Sequence, residues 1–289
     1  MLLELKNIKK KFKIKKGILG PTQTVIQAVD DVSLSIKKGE SLGLVGESGS
    51  GKSTLAKIIL KLEESDQGKI FFEGKEVTKA KGKVLKDYRR QCQMIFQDPY
   101  SSLDPRWNIR RVMFEAFHLD KEKYKTINAK EKRSSELLKS VGLDQNILSR
   151  YPHEFSGGER QRIAIARALV LEPKLLVLDE AVSSLDMIVQ GQILSLLEDL
   201  KRRYDLTLIF ITHNLRVVKK VSQVTAVMCQ GKIVEQAPTP EIFRNPLHKY
   251  TKQLLSAALT YKTDQNAAEI EINSKGQLVE KAKGHFILE

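Results

Sequence analysis

Apolar positions along the chain switch between two periods. Near the N-terminus they alternate: Leu3 and Leu5, then Val32, Leu34 and Ile36, recur every second residue, as half-buried strands require. The segment 41–46, SLGLVG, predicts a short buried strand that enters a glycine loop. Over residues 52–62 the spacing turns helical, with Leu55, Ile58, Ile59 and Leu62 on one face. A turn at Asp66-Gln67-Gly68 precedes a strand at 69–74, KIFFEG. From 109 to 141 the pattern is helical again, with Val112, Phe114, Leu137, Leu138 and Val141 as expected core positions. A helix follows Ser156, the apolar strand LLVLD covers 175–179, a helix runs over 187–204, and the strand LTLIFIT (206–212) ends at His213. VTAVMC and GKIVEQ read as a hairpin around Gln230-Gly231. Strands separated by helices predict βαβ units, an α/β fold with a largely parallel sheet. From Pro238 the character changes to two short helices separated by Asn245-Pro246. Beyond Lys262 the chain is polar until GHFILE, and we expect an extension with little core of its own.

Composition narrows the class. The 289 residues suffice for one large domain, or one domain with appendages, and for a sizeable core. Hydrophobic residues make up 41% and charged residues 29%, which excludes wholesale disorder. No apolar run approaches the roughly 18 residues that span a bilayer. The start, MLLELKNIKKKFK, does not read as a signal peptide, so a cytoplasmic chain is expected. Cys92 and Cys229 lie far apart and are expected as buried free thiols. Lys+Arg exceed Asp+Glu by 49 to 35, a net +14, which suits a solvated surface, an anionic membrane face or nucleic acid. The densest basic run, Lys9 to Lys16, holds a single aromatic, Phe12; aromatics are only 6% of the chain, and no basic run interleaved with several of them suggests a base-stacking platform.

Three segments carry chemistry. Gly46-Glu47-Ser48-Gly49-Ser50-Gly51-Lys52-Ser53 follows a buried strand and opens a helix, with Thr54 in its first turn. Glycines let successive N–H groups point inward, and these dipoles and the helix N-terminus bind phosphate. Lys52 reaches the β- and γ-phosphates, and Ser53 offers a hydroxyl to Mg²⁺. In LLVLDE the apolar strand delivers Asp179 and Glu180 to its carboxyl end, where open α/β sheets place ligands. Asp179 can hold Mg²⁺ through water, and Glu180 can polarise an attacking water. Ser156-Gly157-Gly158-Glu159 opens a second anion-binding helix end, which suits a nucleotide held by another copy of the fold.

With these motifs in order, residues 1–240 resemble the nucleotide-binding subunit of an ATP-binding cassette (ABC) transporter. The resemblance implies an ABC-type P-loop fold: a mixed sheet core, an antiparallel β subdomain, a helical subdomain near 98–165 and a C-terminal extension over 241–289. It makes Gln97 in MIFQDP the loop glutamine that touches Mg²⁺, and Ser183-Ser184-Leu185-Asp186 the loop in which Asp186 faces nucleotide. His213 in ITHN becomes the switch histidine, and Phe12 the aromatic stacked on adenine. The signature is usually SGGQ; Glu159 here places a carboxylate near the nucleotide, offset by Arg160, and implies weaker ATP binding. Ala181 and Val182 stand where many relatives have Pro-Thr, with Glu180 intact and hydrolysis expected.

FQDPYSSLDPRWNI, NPLHKYTKQLLSA and GHFILE are similar to segments of oligopeptide and dipeptide permease ATPases. That resemblance implies ATP and Mg²⁺ as ligands and a peripheral place on the cytoplasmic face of the membrane. Implied partners are two integral permease subunits, a second related ATPase (a heterodimer, with a homodimer as the alternative) and, indirectly, an extracytoplasmic solute-binding protein, with no nucleic acid. This chain is more similar to the second ATPase of the pair. Nickel or metal-chelate import is the alternative cargo, and a soluble nucleic-acid-associated ABC ATPase the distant one. The interval between Lys52 and Ser156 lacks the long heptads that chromosome-maintenance ABC ATPases carry.

Overall fold

A computed structural model of the chain describes residues 1–15, 23–96, 103–120, 122–259, 272 and 276–289. In chain order the elements are β1 (Leu3–Lys15), β2 (Gln23–Ile36), β3 (Ser41–Val45), α1 (Lys52–Ile59), β4 (Gln67–Phe72) and β5 (Lys75–Glu76). Next come α2 (Gly82–Gln91), β6 (Cys92–Ile95), α3 (Ile109–Ala116), α4 (Ile127–Ser140), α5 (Gly157–Leu169), β7 (Leu175–Asp179), α6 (Met187–Tyr204) and β8 (Thr207–Ile211). The chain ends with α7 (Leu215–Val221), β9 (Val224–Cys229), β10 (Lys232–Pro238), α8 (Thr239–Arg244), α9 (Lys249–Leu259), β11 (Leu278–Ala282) and β12 (His285–Leu288). Two units result, one of residues 1–80 with 210–289, the other of residues 81–209.

The first unit holds two sheets. One is antiparallel, in the order β2-β1-β4-β5. Alternating Leu3 and Leu5 of β1 and Val32, Leu34 and Ile36 of β2 are buried, as their period of two predicts, and a register shift after Leu5 returns Ile8 to the buried face. In the other sheet β3 pairs parallel with β9, while β9, β10, β12 and β11 pair antiparallel in turn. Tight turns join β9 to β10 and β11 to β12, whereas β3 reaches β9, and β10 reaches β12, through distant chain. Strand β3 is buried along its whole length. Val45, Val218, Val227, Val234, Ile242, Tyr250 and Leu288 share one apolar cluster.

In the second unit β6 and β7 pair parallel, and helices α3, α4 and α5 pack on one another. Ile163, Ile165 and Ala166 of α5, Leu137 and Leu138 of α4, and Val112 and Met113 of α3 are buried. Asn108 caps α3 and Thr126 caps α4 through side-chain oxygens, which places both helix starts.

Some expectations change. Leu62, assigned to the core face of α1, is 52% exposed, because the helix stops at Ile59 and the chain turns. Phe114 is half-buried; Met113 and Phe117 fill the core instead, with Phe114 edge-on to Phe117 at 6.0 Å. The C-terminal residues do have core: Leu288 joins the apolar cluster and β12 pairs with β10.

Their anchor is Glu235 of β10, fully buried. Its carboxylate accepts hydrogen bonds from Leu247 N (2.7 Å), His248 N (3.0 Å) and His285 Nε2 (2.7 Å). One side chain therefore ties the α8–α9 link and the terminal hairpin to the sheet. Both free cysteines are buried, and among the described residues no helix is long and apolar enough to cross a membrane. Removing one partner from a buried charged network leaves uncompensated donors, so Glu235→Ala should cost about 3 kcal/mol of stability. Urea unfolding should show this as a lower midpoint, and an unchanged midpoint would make the network dispensable.

Candidate functional site

The loop after β3 is shaped by close backbone approaches. Gly46 has φ +151°, and a Cβ there would lie 2.1 Å from the Met228 carbonyl oxygen of β9. Gly51 has φ +106°, and a Cβ there would lie 2.1 Å from the Ala28 carbonyl oxygen of β2. No other residue type fits either position. Gly231, in the β9–β10 turn, completes the clamp: its N–H donates to Ser50 O (2.9 Å), and its own carbonyl accepts from Asp30 N (2.8 Å). Glu47, Ser48 and Gly49 stay exposed at the crown.

Helix α1 starts at Lys52 with no side chain capping it. Its first turn therefore offers backbone donors and the positive end of its dipole to an anion. Lys52 is 7% exposed, and its Nζ donates to Gly46 O (2.8 Å), Glu47 O (2.7 Å) and Ser50 Oγ (3.1 Å). The loop thus holds a cation at its centre. Ser53 is exposed and Thr54 half-buried on the same turn. His213 follows β8 in this unit; the preceding Thr212 N–H donates to Leu44 O of β3 (3.3 Å), so the exposed histidine lies beyond the strand that feeds the loop. Phe12 is half-buried on β1 opposite Ile26, with the Lys10 ammonium 5.2 Å from its ring centre.

In the second unit, β7 ends at Asp179, and Glu180 takes a left-handed backbone with φ +52°. Such a backbone in a residue bearing Cβ is held only where its surroundings enforce it. Here Ser183 N donates to Glu180 O at 3.0 Å, and Ser183 Oγ donates to the Glu180 carboxylate. Asp186 caps α6, accepting from Ile188 N (3.0 Å) and Val189 N (2.9 Å). A Cβ on Gly158 would meet Val189 Cγ1 at 2.6 Å, so this glycine lets α5 approach α6.

Glu159 closes a capping box at the start of α5, a role that the S-x-x-E spacing of Ser156 and Glu159 signals. Its carboxylate accepts from Ser156 N (2.9 Å) and Ser156 Oγ (2.8 Å), and its own N–H donates to Ser156 Oγ (3.3 Å). The Ser156 amide, then its hydroxyl, hold the Glu159 carboxyl below the usual range. Arg160 Nε donates to Pro152 O (2.7 Å), and Arg150 and Arg162 both act on the Glu159 carboxylate. Gln97 lies outside the described residues.

A buried strand, a glycine loop clamped on two carbonyls, an interior lysine and an uncapped helix start define a P-loop nucleotide-binding protein. The ABC transporter profile matches residues 29–183. The oligopeptide transport ATP-binding protein OppF of Bacillus subtilis is 42% identical, across 99% of this chain and 95% of its own. OppF of Salmonella typhimurium is 44% identical, across 97% and 83%. The glutathione import ATP-binding protein GsiA of Pectobacterium atrosepticum is 44% identical over 89% of this chain but 41% of its own length. Among solved structures, a dimeric ATP-binding cassette in a post-hydrolysis state with ADP and phosphate superposes with TM-score 0.70 at 27% identity, covering 82% of this chain and 98% of that one. A cassette of an ABC transporter complex from Clostridium perfringens gives TM-score 0.71 at 26% identity, covering 89% and 95%. The chain belongs to the ABC transporter family, as one of its ATP-binding subunits.

Gly231 was expected only as a hairpin-turn residue, and Met228 and Tyr250 were not singled out in the sequence. A turn glycine, a strand methionine and a helix tyrosine are common residues, and only their contacts with the loop distinguish them. Gly51→Ala should strain the loop against Ala28 and weaken ATP binding roughly 5- to 150-fold, by about 1–3 kcal/mol. Titration with a fluorescent ATP analogue checks this, and wild-type affinity in the variant would refute it.

Proposed function

We propose that the chain is the ATP-hydrolysing subunit of an ABC importer that drives uptake of oligopeptides or dipeptides through separate membrane subunits. The observation that carries the nucleotide half is the clamped loop with Lys52 at its centre. The cargo class is supported by the names of relatives similar over nearly the whole chain.

Each residue has a definite task. The loop amides and the α1 N-terminus bind phosphate oxygens, and Lys52 exchanges its loop carbonyls for the β- and γ-phosphates. Glu180, braced by Ser183, orients and polarises the attacking water, and His213 contacts the γ-phosphate. Phe12 stacks on adenine. Ser53, Gln97 and Asp179 offer hard oxygen donors of the kind Mg²⁺ takes alongside nucleotide phosphates and water. When bound, Mg²⁺ neutralises charge developing on those phosphates. Ser156, Gly157, Gly158 and Glu159, together with Asp186, face nucleotide held by a second ATPase subunit, which we assign as a related, different chain. ATP favours the closed pair, so its binding shifts an open–closed equilibrium, and hydrolysis releases it. Gln97 passes that shift to two membrane subunits at the cytoplasmic face, which a solute-binding protein supplies from outside.

Co-expression with chromosomal neighbours followed by detergent purification tests the assembly. Two multi-span membrane proteins and a second ATPase should co-purify; recovery alone, or with nucleic acid, would overturn the importer reading. Glu159 carries a negative charge toward that shared nucleotide. Glu159→Gln should keep the capping box and tighten ATP in the assembled pair roughly 2- to 5-fold, as expected for one partly solvated charge. Equal affinities would sink this role.

A further inference from the structure

Helix α9 touches the phosphate loop at one point. Tyr250 is 5% exposed within the apolar cluster, and its Oη accepts a hydrogen bond from Glu47 N at 3.1 Å. The Cys229 thiol neighbours the same hydroxyl and interacts with it. Burial pushes the Cys229 thiol up to about 11 and raises the Tyr250 phenol above its usual range, so both stay neutral at physiological pH.

The peptide unit that joins Gly46 to Glu47 is held at both ends. Its N–H, from Glu47, goes to Tyr250; its C=O, from Gly46, accepts the Lys52 ammonium at 2.8 Å. A peptide unit is planar, so fixing its N–H fixes the direction of its carbonyl. Gly46 at φ +151° has no side chain to restrict its dihedrals, so an external hold on the adjoining peptide unit has a purpose here.

Tyr250 is itself positioned through the C-terminal segment. Its backbone N–H donates to His248 Nδ1 (3.1 Å), and the backbone N–H groups of Leu247 and His248 are bound by buried Glu235. Glu235 also holds His285 of the terminal hairpin. A continuous hydrogen-bonded path therefore runs from β12 to the loop, entirely inside the first unit.

We propose that Tyr250 is a positioning residue for phosphate binding: by holding the Gly46–Glu47 peptide it aims the Gly46 carbonyl at Lys52 and keeps the loop in its phosphate-ready shape. The C-terminal segment, through Glu235 and His248, thereby supports the ATP site. This rests on the nucleotide-binding role proposed above.

The test uses the full chain and Tyr250→Phe, which keeps the ring in the apolar cluster and removes only the hydroxyl. ATP affinity, measured by displacement of a fluorescent ATP analogue, should fall about 3- to 10-fold, the effect of one hydrogen bond. Amide hydrogen exchange should quicken in the peptide covering residues 46–51 and stay unchanged in β9 and α9, at an unaltered melting temperature. Wild-type affinity in Tyr250→Phe, or unchanged exchange at the loop, would overturn the positioning role. So would faster exchange spread through β9 and α9, since that marks general loosening. Failure of the wild-type chain to bind ATP would instead overturn the functional reading, while loop exchange still decides whether the tyrosine holds the peptide.

Discussion

The close approach of the phosphate loop to two carbonyl oxygens is the constraint around which the first unit is arranged. At Gly46 the backbone comes against Met228 O, and at Gly51 against Ala28 O, each leaving no room for a Cβ. These contacts fix where β9 and β2 must lie relative to β3 and α1. The Gly231 turn then bridges the loop and β2 with two backbone hydrogen bonds, and the Asp30–Lys232 pair at 3.2 Å reinforces the same junction. A loop that must present donors inward cannot hold itself up with those same donors. Its outer surface is therefore held by neighbouring strands.

The same reasoning explains a buried acid in β10. Glu235 takes three donors that would otherwise be stranded in the interior, and those donors belong to the α8–α9 link and the terminal hairpin. Burial lowers the tendency of His248 to take a proton, with Glu235 acting in the opposite sense. Late parts of the chain thus become structural members of the unit that carries the loop.

Departures from the family pattern have local physical readings. A glutamate at the fourth position of the signature adds a charge, yet it also completes a reciprocal cap that the carboxylate makes with Ser156. A glutamine could make the same cap, so the glutamate keeps the helix start and changes its charge. Ala181 and Val182 are buried in the turn that carries strained Glu180, so their apolar side chains pack where Pro-Thr is usual.

Much was legible in the residues alone. The loop, the strand before it, the start of α5, the bounds of α6, and the strand ending in Asp179 followed from glycine spacing and apolar periodicity, both local signals. Leu62 and Phe114 were misplaced because periodicity reports a face but not where a helix ends or which neighbour fills the core. The terminal segment was undervalued because its few apolar residues gain burial only by pairing with β10. Tertiary structure alone decided the roles of Tyr250, Glu235 and Gly231, since each depends on a partner far away in sequence. Sequence determined the chemistry of the groups; the folded chain determined which backbone atoms they hold, because hydrogen bonds act over a few ångströms of space and not along the chain.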